Sequence, residues 1–386
     1  MVLHEVSKDF PLISKVNYLS TASIGLIPIP VIETVKDFIY ELAEEGTLFL
    51  NEDREYRIYD DLRKEGAKLL GCDEEDIAVF NSVTEALNCI AWSLELKEGK
   101  IISTDIEFPT VTYPWLRIAR KENIRVKFVN AKNWYISLED LLNEIDENTK
   151  VVVLSHVEYL TGQRHDIRKI VKRAHEVNAL VIVDGVQAAG YIPLNVKELN
   201  VDVYITGSYK WLVAPFGAAI AYISKDLYSR LEPVFVGWRS KEYMWDLNPL
   251  ELSYSSTARK FEYSTSSYSV KIGLAESIKY LRRIGIEKIY EHNMKLTDIA
   301  VEELNSIKYV NLVTPLNRDE RGSIVTIKVE RVDPFKIFDK LRNLNRPIEL
   351  TIRQKMIRIS PHIYNTEEDI LHFVNSLRKF LKDLCF

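Results

Sequence analysis

Between residues 100 and 224, short and almost wholly apolar runs alternate with amphipathic stretches. This rhythm restricts the fold more than any other feature of the chain. The runs 100–104, 125–129, 151–155, 180–184, 201–206 and 218–224 are predicted strands, most of them nearly continuous in Val, Ile, Leu and Ala. A strand with one wet face would alternate apolar and polar side chains. These do not, so both faces are expected to be covered, as in a parallel sheet. Parallel neighbours need a crossover, usually a helix. Residues 166–178 supply one, with Ile167, Ile170, Val171 and Ala174 on a single helical face. Repeated strand, helix, strand implies an α/β fold with a doubly wound, mainly parallel sheet.

The rhythm breaks after about residue 231. Trp, Tyr, Ser and charged residues dominate up to about 268, and the Ser/Tyr-rich piece 253–269 is expected to be a mobile loop. A helix is predicted over 269–284, stopped by Gly285, then a one-sided strand over 322–330 and a closing amphipathic helix over 366–384. The expected organisation is a large α/β domain over 17–254 and a smaller α+β domain over 255–386, joined by the N-terminal segment 1–16. A length of 386 residues suits two or three domains at ~100–200 residues each.

Composition excludes several classes. Hydrophobic residues at 46% and charged residues at 28% belong to a globular protein, not a disordered or fibrous one. A net charge of -5 argues against nucleic acid or an anionic membrane as the main partner. No apolar run approaches the ~18 residues that span a bilayer. The start of the chain lacks the basic and apolar stretches of a secretory signal. Cys72, Cys89 and Cys385 form no CxxC pair, which fits a reducing, cytoplasmic setting. No His/Cys grouping has zinc-ligand spacing, so no metal is expected.

Neither GxGxxG nor a P-loop occurs. Polar groups instead gather at predicted C-terminal strand ends, where open α/β sheets bind ligands. Asp184 ends one strand, Lys210 follows another, and His156 and Glu158 follow a third. Each alone is a weak signal: an acidic residue ending a strand is more often a turn or cap, and a single Lys in a turn more often a solvated surface charge. The interval from Asp184 to Lys210 allows one crossover to an adjacent strand. An amine and a carboxylate so placed suit pyridoxal phosphate: the amine bonds the aldehyde, and the carboxylate keeps the pyridine nitrogen protonated. Ser82, Val83, Thr84 and Glu85 open an amphipathic helix expected over 84–94. That start is both an anion site and a capping box, and the two readings are compatible. Phe108, just after a strand, is a candidate ring to stack on a cofactor. Trp238 and Arg239 either line the substrate cavity or pack between the domains.

Residues 181–189, Val-Ile-Val-Asp-Gly-Val-Gln-Ala-Ala, followed by 206–212, Thr-Gly-Ser-Tyr-Lys-Trp-Leu, resemble the class V aminotransferase family of fold-type I pyridoxal-phosphate enzymes. Its members include aminotransferases, cysteine desulfurases, isopenicillin N epimerase and kynureninase. The resemblance covers nearly the whole chain. It implies that Lys210 is the Schiff-base lysine, that Asp184 partners the pyridine nitrogen and that Gln187 contacts the phenolic oxygen. It further implies that Val83 and Thr84 meet the phosphate, that Phe108 stacks on the ring and that Tyr209 reaches the phosphate as in kynureninase. Thr265 resembles a residue that crosses a homodimer interface to the partner's cofactor phosphate. Arg358 resembles the arginine that grips the substrate carboxylate. Glu158 departs from the Asn or Ser of some relatives and adds a charge near the ring or the substrate amine.

Desulfurases carry a nucleophilic Cys ahead of this arginine, whereas residues 346–357 contain none. Desulfuration by that route is therefore not expected. The implied activity is transamination of a small-molecule amino acid. Epimerisation, kynureninase-like hydrolysis and β-elimination remain open, as does a non-catalytic binding or scaffold protein on the same fold.

Overall fold

The computed structural model describes residues 6–385, with side chains through Asp383. The side chain of Cys385 and residues 1–5 of the N-terminal segment lie outside the described residues. Strand β1 (Asn17–Tyr18) is followed by seven strands of one sheet: β2 (Ile77–Phe80), β3 (Glu98–Thr104), β4 (Asn123–Val129), β5 (Thr149–Ser155), β6 (Leu180–Asp184), β7 (Val203–Gly207) and β8 (Ala219–Ile223). Their order across the sheet is β2-β8-β7-β6-β5-β3-β4. The five strands from β7 to β4 are parallel, as their apolar runs predict.

Two departures occur at one edge. Strand β8 is antiparallel to both β7 and β2. All five of its residues are buried, so its sequence carries no mark of direction. Strand β2 has four residues, Ile-Ala-Val-Phe, and is too short to stand out as a separate run.

Alternate strand residues feed two apolar layers. Val152, Leu154, Val181 and Val183 face a core completed by the helices Glu52–Leu70, Ile167–Glu176 and Tyr268–Ile284. Val151, Val153, Ile182 and Ile205 face the opposite core, closed by Leu87 and Ile90 of the helix Val83–Ser93 and by Trp115 of the helix Pro109–Ala119. A third core joins Leu19 to the helices Ile286–Asn305 and Glu367–Cys385. It lies under a four-stranded antiparallel sheet of β9 (Val310–Leu312), β10 (Val325–Val329), β12 (Thr351–Arg353) and β13 (Met356–Ile359). Strand β11 (Ile348–Glu349) pairs in parallel with β1.

The segment 253–269 is more ordered than its composition suggests. It contains a 3₁₀ turn, Ala258–Phe261, whose Ala258 and Phe261 are fully buried in the core beneath β2. The next residue, Glu262, is buried and binds Arg63 of the helix Glu52–Leu70 at 2.6 Å and 2.7 Å. It also accepts from the β2 amide of Val79 at 3.0 Å. One apolar ring among many serines and tyrosines anchors the piece, and the low-complexity pattern hides it. Truncating Phe261 to Ala should cost about 3–5 kcal/mol, whereas Leu250→Ala on the exposed loop should cost less than about 0.5 kcal/mol. Denaturant unfolding of the two variants against the parent measures the difference.

Candidate active site

A cavity of about 280 Å³ opens at the C-terminal ends of the parallel strands, where Ser155, Asp184 and Gly207 close β5, β6 and β7. Seven of the residues expected at the site line it: Val83, Thr84, Phe108, Asp184, Gln187, Tyr209 and Lys210. A roomier cavity of about 740 Å³ lies among Tyr135, Arg164, His165 and Glu320 and shares only His156 with these strand ends.

Asp184 is buried, and its Oδ1 accepts from the Val186 amide at 2.8 Å. Burial pushes its carboxyl above the usual range, while that amide and the Lys210 ammonium pull it back. Burial likewise pushes the Lys210 amine down to about 8, opposed by Asp184 and assisted by Arg358 and Arg353. The turn bearing Lys210 is held by Gly25, which donates to the Tyr209 carbonyl at 2.8 Å. A Cβ on Gly25 would sit 1.9 Å from the Lys210 carbonyl oxygen, so only glycine fits this close approach.

Aromatic rings shape the walls. Lys210 Nζ lies 5.6 Å from the centroid of Phe108, whose ring meets Tyr159 edge-on at 5.2 Å. Tyr209 stacks on Phe216 at 4.3 Å. Gln187 is braced at both ends of its amide: Trp211 Nε1 donates to Oε1 at 2.7 Å, and Nε2 donates to Ala22 O at 3.1 Å. One Nε2 hydrogen remains for a ligand.

The cavity's far wall is the start of the helix Val83–Ser93. Ser82 caps it, accepting from the Glu85 amide at 3.1 Å. The expected reciprocal bond is shifted by one residue, because Glu85 Oε2 accepts from the Asn81 amide at 2.9 Å and not from Ser82. Thr84 Oγ1 lies 3.0 Å from Thr110 Oγ1. The amides of the first helical turn have no intrahelical partner, which makes this wall electropositive.

Three expected site residues do not line the cavity. Thr265 is exposed to solvent. Arg358, on β13, is buried; Nη1 donates to Tyr159 O, Nη2 donates to Ser23 Oγ at 2.7 Å, and Nε has no partner. It makes no ion pair with any described carboxylate, and burial pushes its guanidinium down to about 9. Glu158 is fully buried and is not among the residues that line the cavity. Its Oε1 accepts from Thr104 Oγ1 at 3.2 Å and meets His165 Nε2 at 3.0 Å, while Oε2 has no partner. Trp238 and Arg239 are also outside the cavity: Arg239 lies over the Tyr59 ring at 3.8 Å, and Trp238 packs on Trp245.

Glu107 was not foreseen, although it precedes Phe108. It is buried, and its two oxygens accept from the Ser155 amide and from Ser155 Oγ at 2.7 Å. Glu107 itself does not line the cavity; Asn81, Tyr159 and Phe216 do, without a sequence signal beyond their proximity to expected residues.

The family model described as aminotransferase class-V matches residues 17–373. A probable cysteine desulfurase of Pyrococcus abyssi is 27% identical, with 98% of both chains covered. The apo structure of a cysteine desulfurase from Thermococcus onnurineus superposes with a TM-score of 0.88 at 25% identity, covering 100% of this chain and 99% of that one. A cystine C-S lyase in complex with its product cysteine persulfide gives a TM-score of 0.86 at 25% identity, covering 96% and 99%. A mutant of that protein holds glycine covalently linked to its PLP cofactor. The chain therefore belongs to the class V aminotransferase family, fold-type I enzymes whose cofactor is pyridoxal phosphate. Among the described residues no helix is long and apolar enough to cross a membrane.

Burial without a cationic partner pushes the Glu158 carboxyl up to about 8. A group raised on folding stabilises fully below its unfolded value, and that contribution is lost as pH rises through the folded value. The window for Glu158 therefore runs from its ordinary 4.5 up to about 8. Glu158→Gln mimics the protonated form and does not titrate. Its thermal midpoint should rise relative to the parent as pH increases across that window, and a pH-independent difference between the two proteins would contradict the assignment.

Proposed function

We propose that the protein is a pyridoxal-phosphate-dependent aminotransferase that acts on an amino acid. The observation that carries the reading is the shared cavity of Lys210 and Asp184, with the acid-free guanidinium of Arg358 buried close enough to lower the Lys210 amine. The residues fit the cofactor. Lys210 is the amine for its aldehyde, Asp184 the carboxylate for its ring nitrogen, and Phe108 the ring for its face. The helix start at Val83 and Thr84, with Tyr209 beside it, receives the phosphate, and the free hydrogen of Gln187 serves the phenolic oxygen. When bound, the cofactor supplies an electron sink for the pair left at the substrate Cα.

The chain's own groups do the remaining work. Arg358 stands behind the cavity wall with its plane set by Tyr159 O and Ser23 Oγ and its Nε unpaired, and it would receive the substrate carboxylate where the wall gives way to it. Burial keeps the lysine amine neutral often enough near neutral pH for Nζ to accept the Cα proton and hand it on. The aromatic walls of Phe108, Tyr159 and Phe216 limit water around that proton. The product is a 2-oxo acid, with the amino group left on the cofactor. We further propose a homodimer in which the exposed Thr265 reaches the partner's cofactor phosphate.

A second reading, C–S bond cleavage of a sulfur amino acid, draws support from relatives named for cysteine desulfurase and cystine C-S lyase activity. The described thiols argue against the persulfide-carrying route of that reading, though not against elimination, which needs no enzyme thiol. Strands β12 and β13 are joined by a tight turn at Gln354 and Lys355, both at positive φ, with no cysteine in it. Cys72 and Cys89 line no part of the cavity, and burial pushes each thiol up to about 12, far from the thiolate a persulfide carrier needs.

The test is a half-reaction screen on the holoprotein with chiral amino-acid, 2-oxo acid and sulfide analysis of the products. Transamination yields a 2-oxo acid and converts the cofactor to its amine form, without sulfide. Lys210→Ala should reduce turnover by at least about 10³-fold, since it removes both the covalent anchor and the proton carrier. Sulfide with pyruvate would support the lyase reading, and inversion at Cα an epimerase. Tight cofactor without turnover of any amino acid would favour a binding protein.

A further inference from the structure

The most deeply buried lysine among the described residues stands behind the wall proposed to receive the phosphate. Lys271, on the helix Tyr268–Ile284, is 1% exposed. Among the described residues its Nζ makes one hydrogen bond, 2.8 Å to Asn81 Oδ1, and no ion pair. The nearby carboxylates are committed elsewhere. Glu85 accepts from the backbone and side-chain nitrogens of Asn81 at 2.9 Å and 3.3 Å. Glu262 accepts from Arg63 and Val79.

An ammonium so deeply buried, bonded only to a neutral amide, is costly unless an anion comes near. Burial, assisted by Arg239, pushes its amine down to about 8 even though the Glu85 and Glu262 carboxylates oppose the shift. An apolar side chain would fill this helix face without that cost, so packing does not explain a lysine here. Apart from the Glu85 and Glu262 carboxylates, the place nearby that suits an anion is the cavity wall. Asn81 lines it, immediately before Ser82, Val83 and Thr84. The Asn81 amide is also fixed in orientation, Oδ1 toward Lys271 and Nδ2 toward Glu85.

We propose that Lys271 is a positioning residue for the cofactor phosphate: it locks Asn81 at the edge of the phosphate wall and supplies the counter-charge behind it. The inference rests on the cofactor reading above and adds a residue to it. A phosphate at the start of the helix Val83–Ser93 meets oriented N–H groups from the front and a desolvated ammonium, one side chain removed, from behind. In a water-poor site such a charge is weakly screened. The effect should be confined to ligands that carry the phosphate.

The experiment compares the parent with Lys271→Gln, Lys271→Met and Lys271→Arg after removal of bound cofactor. Each is titrated separately with pyridoxal phosphate and with pyridoxal, followed by tryptophan fluorescence. Lys271→Gln can still donate to Asn81, so it isolates the charge. Lys271→Met removes charge and hydrogen bond together, and serves alone if the Gln variant does not fold. Both neutral variants should bind pyridoxal phosphate about tenfold more weakly and pyridoxal unchanged, with Lys271→Arg close to the parent. Inorganic phosphate should raise the thermal midpoint of the parent apoprotein more than that of the neutral variants. Equal pyridoxal phosphate affinity in parent and neutral variants would overturn the proposal. Equal weakening for both ligands would also overturn it, since that marks a structural lysine. The underlying reading fails by a different sign: a parent protein that binds no pyridoxal phosphate, or from which borohydride fixes none at Lys210, and that result removes this proposal with it.

Discussion

Two opposite charges held out of water at the ends of adjacent parallel strands organise the rest of this structure. Asp184 closes β6, and Lys210 follows the end of β7 by three residues. The parallel register sets Asp184 beside Ile205, so the chain leaving β7 turns over the carboxylate. Each group's burial is tolerable because the other is close, and each moves the other's protonation toward the charged form. The neighbouring packing serves this arrangement. Gly25 lets a distant segment clamp the backbone at Lys210, and Val186 fixes one oxygen of Asp184.

The parts of this design that were legible in the sequence are those with local signatures. Buried parallel strands announce themselves as unbroken apolar runs, and a charged residue at the end of such a run stands out. The pairing of Asp184 with Lys210 was readable because both signals fell one crossover apart. Other features depend on partners far along the chain. The direction of β8 is fixed by β2 and β7, and a strand buried on both faces looks the same either way. Phe261 and Glu262 matter through Arg63 and Val79, which no local pattern reveals. Glu158 looked like a ligand group from its position after β5. The pleat and the turn beyond it send its carboxyl toward Thr104 and His165 instead. The shifted capping bond has the same origin, since Asn81 precedes the cap and its own amide competes for Glu85.

Lysine 271 carries no local signature, standing inside a helix among apolar and small residues. Its burial follows from the packing of the helix Tyr268–Ile284 against the helices Glu52–Leu70 and Ile29–Glu45. A cation on an inward face is retained at a cost, and that cost directs attention to the nearest place an anion can stand.

The carboxyls around the cavity complete the electrostatic argument. Asp184 raises the carboxyls of Glu107 and Glu158, Glu158 also raises Glu107, and all three are buried. Such a group cannot lose all its protons together. Asp184 alone has a cation opposite it, so it is the member that holds negative charge. Glu107 is bound by neutral donors on Ser155, and Glu158 by Thr104 and a histidine that burial keeps neutral. Burial raises both carboxyls, Glu158 up to about 8. Asp184 is the carboxylate of the three that lines the cavity, where we propose the ring nitrogen stands. The lysine amine is poised near neutrality by burial and by Arg358 and Arg353, against the pull of Asp184, which is the condition for moving a proton in both directions.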